Sequence, residues 1–354
     1  MTIPPARPPT AAERLAVRGG AIEFLHGPAV LFGAVVLARR AAYDLGIAPA
    51  TRLDVPVVSV GNLTAGGTGK TPASVWLIGE LKRRAFRPGI LSRGYGAAAG
   101  EPNDEARLLA RLLPDVLHVA DPNRVRGGEA LIARGVDAIV LDDGFQHRRL
   151  ARDLDLVLVD ATRPWGLPGV DGAEPVCALL PRGLLREPRS SLARADAIVV
   201  TRSDQVDASA LARLEADLRA FAAGRPLARA VHAPRALVDE RGAETAPASL
   251  AGVEIDVASA LGNPAAFEST LRGLGALVRE HRVFPDHHPY VCGDFDGLGV
   301  ARPLVVSGKD AVKLAPLGIR HSYLDVEFRI VSGAGPLAAL LDTLPRAGDP
   351  RRAV

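Results

Sequence analysis

The stretch Gly61-Asn-Leu-Thr-Ala-Gly-Gly-Thr-Gly-Lys-Thr71 decides the fold of this 354-residue chain. It follows Asp54-Val-Pro-Val-Val-Ser-Val60, an apolar segment that predicts a short buried strand. It opens a segment that predicts a helix from Lys70 to about Ala85. Strand, glycine-rich loop and helix in this order are the context of a phosphate-binding loop, because glycines let the backbone wrap around phosphates and the helix N-terminus attracts anions. This context argues against the alternative, a glycine-rich turn that binds no ligand.

The positions of this loop have expected tasks in binding a nucleotide. Lys70 would neutralise the β- and γ-phosphates, and the hydroxyl of Thr71 would contact Mg²⁺. Thr64 stands where the usual Walker A pattern has its first glycine, so the loop resembles the Gly-Gly-x-Gly-Lys-Thr variant of a broader ATPase and GTPase class. The predicted nucleotide-binding residues are Thr64, Ala65, Gly66, Gly67, Thr68, Gly69, Lys70 and Thr71.

Strand patterns alternate with helix patterns along the rest of the chain. This alternation predicts an α/β fold of the P-loop NTPase type, with a parallel sheet and helices on both faces. The pattern changes near Leu227, where further strand-like and helix-like pieces indicate a smaller C-terminal α/β domain. The expected organisation is a disordered N-terminus at 1–20, an apolar helix at 21–45, a P-loop domain at 46–226, the smaller domain at 227–345 and a frayed tail at 346–354.

Asp142-Asp143 comes directly after a buried strand predicted at Asp137–Leu141. Ligands of parallel sheets bind at the carboxyl ends of the strands, and a carboxylate there in a P-loop protein holds Mg²⁺ directly or through water. Aspartates often end strands without a functional role, so the pair indicates a metal site only together with the phosphate loop. Gln146 and His147 follow a flexible glycine and would lie beside the metal.

Two other acidic or histidine-containing segments have both a structural and a functional interpretation. Asp104-Glu105 begins a predicted helix, where acidic residues cap the N-terminus and suit the helix dipole. His287 lies in Pro285-Asp-His-His-Pro289, and a histidine oriented by a carboxylate is the usual general-base arrangement. A surface loop with ordinary histidines explains this segment equally well. Adjacent histidines point to opposite sides of an extended chain, so they rarely share one metal.

The segment Leu180-Pro-Arg-Gly-Leu-Leu-Arg-Glu-Pro188 is a predicted loop, because it contains proline and glycine. Arg182, Arg186 and Arg189 could grip a phosphate, since arginine binds phosphate oxygens in a bidentate manner. Arginine-rich loops are common in this chain, so the segment is also consistent with an ordinary surface loop.

Composition and charge restrict the class of protein. Hydrophobic residues make up 48% and charged residues 23%, an ordinary globular balance, and the net charge of +3 is too small to argue for nucleic acid. Cys177 and Cys292 match no metal or disulfide spacing, which favours a reducing cytoplasm. No secretory signal is evident.

An apolar stretch, Phe24 to Ala38, is closed by Arg39 and Arg40. It is shorter than the roughly 20 residues that a spanning helix needs. One interpretation is an interfacial helix whose arginines meet anionic head groups. The other is a helix buried against the domain, and the segment alone leaves both open.

These segments, in this order, resemble the tetraacyldisaccharide 4'-kinase family. The resemblance runs from about Phe24 to Val326, and the ordered set of motifs is more specific than any one of them. The motifs are Val58–Pro72, Ser92–Gly96, Asp142–Leu150, Leu180–Pro188, Phe284–His287 and Lys309–Lys313.

The resemblance implies an ATP-dependent kinase of lipid A biosynthesis. Such an enzyme transfers the γ-phosphate of ATP, with Mg²⁺, to the 4'-hydroxyl of tetraacyldisaccharide 1-phosphate, an acylated glucosamine disaccharide, and yields lipid IVA. The implied location is the cytoplasmic face of the inner membrane, bound at the membrane surface and without a nucleic-acid partner. The resemblance also favours the interfacial helix.

The resemblance further implies roles for individual residues. The catalytic base is expected at Asp104, assisted by His287, with Lys70 as the phosphate-binding cation. Metal handling is expected from Thr71, Glu105, Asp142 and Asp143. Contacts to the acceptor or the phosphates are expected from Arg124, Gln146, His147 and Arg186. The family usually has proline after its Asp-Glu pair, where this chain has Ala106, so Glu101 stays an alternative for the base.

Two other functions are consistent with a phosphate loop. A P-loop ATPase or GTPase switch, such as a metal-delivery factor, often carries a second lysine early in the loop, where this chain has Thr64 and Ala65. Such proteins also lack the Phe284–His287 element. A non-catalytic nucleotide-binding scaffold is disfavoured, because Lys70, Thr71 and Asp142 are intact.

Overall fold

The computed structural model describes residues 15–94, 103–168, 174–222, 224–346 and 348–349. The predictions made for residues 1–14, Glu101 and 350–354 lie outside the described residues. Residues 15–19, which were expected to be disordered, lie against the rest of the protein: Ala16 is buried, and the carbonyls of Leu15 and Val17 accept hydrogen bonds from Arg182. The prediction of disorder is therefore wrong for residues 15–19, because the guanidinium of Arg182 holds this segment in place.

The N-terminal half begins with a 3₁₀ turn at Gly20–Leu25 that leads into the helix α1 (His26–Asp44). Strands and helices then alternate as the sequence predicts. They are β1 (Val57–Asn62), α2 (Lys70–Arg83), β2 (Pro88–Ser92), α3 (Asp104–Leu112), β3 (His118–Ala120), α4 (Arg124–Ile132), β4 (Ala138–Asp142), β5 (Leu154–Asp160), β6 (Ala197–Thr201) and α5 (Ala208–Phe221).

The C-terminal half contains a second set of strands and three helices. They are β7 (Leu227–Asp239), β8 (Glu244–Thr245), β9 (Glu254–Ser259), α6 (Pro264–Gly273), β10 (Leu277–Val283), β11 (Leu304–Ser307), α7 (Gly308–Leu314), β12 (Ser322–Ser332) and α8 (Ala334–Asp342).

The twelve strands of the described residues form one continuous sheet, in the order β10-β9-β11-β12-β7-β6-β5-β1-β4-β2-β3, with β8 on β7. Neighbouring strands are parallel, except that β7 is antiparallel to β12 and β8. Leu227–Arg229 pairs with β6, and the rest of β7 pairs with β12. The predicted boundary at residue 227 therefore falls at the start of a strand that joins the two halves.

Helices cover both faces of the sheet, as predicted. Val58 and Val60 of β1 pack with Leu77 of α2, whereas Val57 faces the opposite side, where it packs with Leu131 of α4. Side chains alternate along a strand, so a buried strand with a helix on each face is apolar on both. Burial of a leucine of this kind contributes roughly 1.5–3 kcal/mol.

The last helix returns to the N-terminal half. Leu337 and Leu341 of α8 lie in the same apolar cluster as Leu77. Arg84, which follows α2, forms a 2.8 Å ion pair with Asp342. The stretch 227–345, predicted as a separate smaller domain, thus ends in a helix that packs on the first half.

The N-terminal helical stretch has bounds close to the predicted 21–45, and it is mostly exposed. The helical stretch Gly20–Asp44 has 25 residues and a mean hydropathy of 1.8 in its most apolar window, only 11% of which is buried. By length and composition alone it meets the requirement for crossing a membrane. Phe24 is 84% exposed and Val30 is 73% exposed, so the interpretation as a helix buried against the domain is wrong.

Candidate active site

A cleft of about 1320 Å³ lies where the two halves of the sheet meet. The phosphate loop and the ends of β2 and β4 line it from the N-terminal half. Loops at Asp286–His287 and Ser307–Lys309 line it from the C-terminal half, and Phe32, Val35 and Arg39 of α1 also contribute. The carboxyl ends of the parallel strands therefore open into this space, as the fold class predicts.

The phosphate loop connects β1 to α2 with the predicted strand–loop–helix geometry. Asn62 stabilises it from below: its Nδ2 donates to the carbonyl of Thr64 at 2.7 Å and to Oγ1 of Thr68 at 2.9 Å. The amide of Ala65 donates to Leu184 at 2.7 Å. Gly69 has a φ of 89°, which favours glycine at this position. The loop is thus held from both sides before any ligand binds.

Lys70 points toward the acidic end of β4. Its Nζ lies 3.4 Å from Oδ1 of Asn62 and 3.5 Å from Oδ1 of Asp143. Nη1 of Arg186 donates to both carboxylate oxygens of Asp143, at 2.8 and 2.9 Å. Burial raises the pKa of Asp143, but the charges of Lys70 and Arg186 outweigh it and hold that pKa below its usual value. Two predicted phosphate-binding cations therefore converge on one carboxylate.

Asp142 is the buried member of the acidic pair. Oγ of Ser74 donates to it at 3.1 Å. Burial, together with the nearby charge of Glu105, raises the pKa of Asp142 to about 7. A divalent cation would offset this unfavourable negative charge, so Asp142, Glu105 and the Thr71 hydroxyl suit Mg²⁺.

A site for Mg²⁺ alone would need more protein ligands. Within the described part of the chain, no group of three His, Cys, Asp or Glu side chains is arranged to hold a metal ion. Magnesium usually keeps several waters and binds through one or two carboxylates and the phosphates of a substrate. The arrangement therefore fits a metal that arrives with a nucleotide.

Asp104 and His287 meet across the cleft. Nδ1 of His287 lies 3.1 Å from Oδ2 of Asp104. Asn103, not Asp104, is the N-cap of α3, and its side chain accepts a hydrogen bond from Ala106 at 2.8 Å. Asp104 is therefore not the N-cap, but Asp104 and Glu105 lie in the first turn, where acidic residues suit the helix dipole. Oδ1 of Asp104 accepts from the amide of Glu105 at 3.0 Å, and both carboxylate oxygens lie within 3.2 Å of the imidazole.

Asp104 and His287 shift each other's pKa in opposite directions. Burial raises the pKa of Asp104, but the hydrogen bond with His287 and the charge of Lys309 outweigh it and lower that pKa to about 2. The same hydrogen bond raises the pKa of His287. The carboxylate is thus ionised at neutral pH and fixes the position of the imidazole.

The two adjacent histidines diverge, as the sequence predicts. The amide of His288 donates to Pro285 at 3.0 Å, which closes a turn, and His287 inside it has a φ of 63°. The ring of His288 stacks on Phe284 at 4.8 Å, and its Nε2 lies 2.9 Å from Oδ2 of Asp294. His288 therefore anchors the turn, and His287 alone faces the cleft.

Three other predicted residues, Arg124, Gln146 and His147, also line the cleft. Gln146 donates to the carbonyl of Asn62 at 2.8 Å. Arg124 is buried, and its Nε has no hydrogen-bond partner among the described residues. Nε2 of His147 is buried and equally unpaired there, and burial with the charge of Arg124 lowers the pKa of His147 to about 4. The unpaired guanidinium nitrogen of Arg124 suits an anionic ligand.

The loop Leu180–Pro188 uses its arginines in three ways. Arg186 faces the cleft. Arg182 is only 1% exposed and pairs with Glu23 at 2.7 Å, so it anchors the N-terminal segment. Arg189 lies over the rings of Trp165 and Phe221. The prediction that all three could grip a phosphate is wrong for Arg182 and Arg189.

Sequence reasoning missed several residues that line the cleft. His232 on β7 lies so close to the phosphate loop that a Cβ at Gly69 would overlap its imidazole. Gly262 and Asn263 pack on Gly66 and Gly67 from the C-terminal half. No motif could have revealed these contacts. Lys309 stands in a recognised motif, but no role was assigned to it.

Comparisons with known proteins agree with this geometry. The family described as Tetraacyldisaccharide-1-P 4'-kinase matches residues 23–345. A tetraacyldisaccharide 4'-kinase from Anaeromyxobacter sp. (strain Fw109-5) is 41% identical over 345 residues, covering 90% of each chain. One from Syntrophus aciditrophicus (strain SB) is 36% identical, over 83% of this chain and 86% of the relative.

A solved structure is similar as a whole. It is the crystal structure of the "apo" form of LpxK from Aquifex aeolicus in complex with ATP, which is 29% identical. It superposes with a TM-score of 0.71 over 91% of this chain and 99% of the other. The chain therefore belongs to the tetraacyldisaccharide-1-P 4'-kinase family.

Proposed function

We propose that this protein transfers the γ-phosphate of ATP to the 4'-hydroxyl of tetraacyldisaccharide 1-phosphate and so produces lipid IVA. The observation that carries the proposal is the contact of Asp104 with His287, because His287 lines the same cleft as the phosphate loop. A switch ATPase needs only an activated water, whereas this pair has room beside it for a larger acceptor.

The transfer needs positioning and charge neutralisation more than covalent chemistry. The acceptor oxygen forms a bond to the γ-phosphorus while the bond from that phosphorus to the β–γ bridging oxygen breaks, and ADP leaves with the electron pair. The proton of the hydroxyl goes to the Asp104–His287 pair. Lys70 and the loop amides stabilise the charge on the phosphoryl oxygens.

Mg²⁺ would be held by Thr71, Glu105 and Asp142, with Asp143 beside them. When bound, it supplies positive charge that neutralises the phosphate oxygens. The raised pKa of Asp142 supports this assignment, because a buried carboxylate next to another acid gains most from a cation.

The acceptor would enter beside α1. Phe32 and Val35 give the cleft an apolar wall there, which suits acyl chains, and Arg39 gives it a positive charge. Arg124, Gln146, His147 and Arg186 would contact the sugar or its phosphates. The exposed face of α1 would lie in the membrane interface, on the cytoplasmic side of the inner membrane, where ATP is available.

The test is label transfer from γ-labelled ATP to tetraacyldisaccharide 1-phosphate in detergent micelles. We expect labelled lipid from the wild type and almost none from Asp104→Asn. Release of labelled inorganic phosphate without labelled lipid, whether or not acceptor is present, would contradict the proposal and favour a nucleotide hydrolase.

A further inference from the structure

Lys309 lies where the two halves of the protein meet inside the cleft. It is the second residue of α7, a short helix capped by the side chain of Ser307. Helix α3 packs on α7, since Nη2 of Arg111 donates to the carbonyl of Gly308 at 3.0 Å. The guanidinium of Arg111 also lies 4.3 Å from the ring centre of Tyr323. These contacts fix α7 against the helix that carries Asp104.

The ammonium of Lys309 contacts three functional groups at once. Its Nζ lies 3.0 Å from Oδ1 of Asp286, 3.6 Å from Oδ2 of Asp104 and 3.5 Å from Nε2 of His287. The side chain is 15% exposed, so water screens these contacts only partly. Lys309 therefore belongs to the immediate surroundings of the Asp104–His287 pair.

Two carboxylates flank the same imidazole. Asp104 contacts Nδ1 of His287, and Oδ1 of Asp286 lies 3.9 Å from Nε2 on the other side of the ring. A small rotation would let Asp286 draw the imidazole away from Asp104. The ammonium of Lys309 pairs with Asp286 and lies beside Nε2 of His287. Its positive charge therefore weakens the attraction of Asp286 for the imidazole and opposes that rotation.

We propose that Lys309 is a positioning residue for the Asp104–His287 pair: by neutralising Asp286, it keeps the imidazole on Asp104. The inference rests on the proposed function, since the pair matters only if it serves a transfer reaction. Lys309 acts through His287 and is not itself the group that takes the proton.

The surrounding charges support this role. Burial lowers the pKa of Lys309, but Asp286 and Asp104 outweigh it and leave that pKa above its ordinary value, so the side chain stays charged. Other charges that act on this cluster are Glu105, Lys313 and, through Asp286, Arg163. Lys313 lies one turn further along α7, where it pairs with Asp310 at 3.1 Å and donates to the carbonyl of His288 at 3.4 Å. Because it also supports the turn that carries His287, the control is Lys82, which pairs with Asp115 at the protein surface.

The first experiment replaces Lys309 and measures phosphate transfer to the lipid at saturating acceptor. Lys309→Met should lower kcat by up to about 10²-fold, the loss typical of a misplaced catalytic group, with little change in the KM for ATP. Lys309→Arg keeps the charge and should retain much more activity. Lys82→Met, at the protein surface, should stay near wild type. Equal activity of Lys309→Met and wild type would overturn the proposal.

The second experiment separates positioning from direct phosphate binding. Asp286→Asn removes the competing carboxylate, so it should be mild alone and should restore at least about tenfold of the activity lost in Lys309→Met. If Lys309 instead contacts the transferred phosphoryl group, the double variant will be as slow as Lys309→Met, and the proposal is wrong.

Two controls keep the outcomes separable. Circular dichroism establishes whether each variant is folded. If Lys309→Met does not fold, Lys309→Gln with and without Asp286→Asn provides the same comparison. Wild-type protein is assayed first: no labelled lipid from it defeats the proposed function, whereas wild-type activity with no rescue by Asp286→Asn defeats only the role of Lys309.

Discussion

Lys70 is the residue on which the nucleotide interpretation depends most directly. Its Nζ lies between Asn62 and Asp143 at the mouth of the phosphate loop. We expect Lys70→Ala to lower kcat more than tenfold, a loss of at least about 1.4 kcal/mol of transition-state stabilisation. Rates of label transfer at saturating ATP measure this effect.

A lysine of the same helix serves as the control. Lys82 pairs with Asp115 at the protein surface, so Lys82→Ala should leave kcat unchanged. A Lys70→Ala variant that kept more than a tenth of the wild-type kcat would show that Lys70 is not the transition-state cation.

Asp104 and His287 are predicted to act as one unit, because their side chains are in direct contact. General bases contribute about 10²–10⁴-fold, so each single alanine variant should lower kcat strongly with little change in ATP affinity. Residues that act together are not additive. The double variant should therefore be scarcely slower than the more damaged single variant.

The same kinetic cycle tests the alternative base. Glu101→Ala should be mild, although Glu101 lies outside the described residues. Multiplicative losses in the Asp104/His287 double variant would refute a shared unit. A larger defect in Glu101→Ala than in Asp104→Ala would move the base to Glu101.

The predictability of these residues depends on how far apart they lie in sequence. The phosphate loop could be located because its residues are consecutive and lie between a strand and a helix. The contact between Asp104 and His287 spans 183 positions, and only the family resemblance pointed to it. His232 could not be found, because a strand of the other half brings it to Gly69 and no local pattern records that approach.

At the level of elements, the sequence of α1 predicts a helix but leaves its exposure open. The segment contains two glycines and a proline, and it nevertheless forms a continuous helix from His26 to Asp44. Pro28 lies in its first turn, where a missing amide hydrogen breaks no helical hydrogen bond. Gly33 is buried, with its missing side chain facing Leu179, so a small residue there lets the helix approach the domain.

We expect the exposed face of α1 to bind membranes. Replacement of Val30, Leu31 and Leu37 by serine should weaken binding to anionic liposomes, because it removes apolar area that the interface would bury. These positions do not line the cleft, so ATP affinity should be unchanged. Liposome co-sedimentation measures the effect.

The control uses exposed apolar residues of the C-terminal half. Val291, Val300 and Val331 are also exposed, and their replacement by serine should leave liposome binding intact. Equal partition of the α1 variant and the wild type would contradict membrane binding through this helix.

At the level of the whole molecule, the long strands β7 and β12 join the two halves. Lys70 and Asp104 belong to the N-terminal half, whereas His287 and Lys309 belong to the other. The sequence predicted two α/β units but not the continuous sheet, because strand pairing between distant segments has no local signature. The relative position of the halves therefore determines whether the site is assembled.

The halves also touch directly at the phosphate loop. Gly262, just before α6, lies so close to the loop that an added Cβ would be 2.9 Å from the carbonyl carbon of Gly66 and would overlap the amide nitrogen of Gly67. Asn263 donates to Asp160 at 2.9 Å, which holds this contact in place. Backbone meets backbone here, so no flexible side chain can move aside.

We therefore expect Gly262→Ala to push the halves apart at the loop. The KM for ATP should rise because the loop amides are displaced, and kcat should fall because His287 moves away from Asp104. A displacement of about 1 Å can cost on the order of 10²-fold in rate. Gly273→Ala, at the other end of α6 with no atom within 4 Å of its added Cβ, is the matched control. If both variants behaved alike, the contact between Gly262 and the loop would have no part in assembling the site.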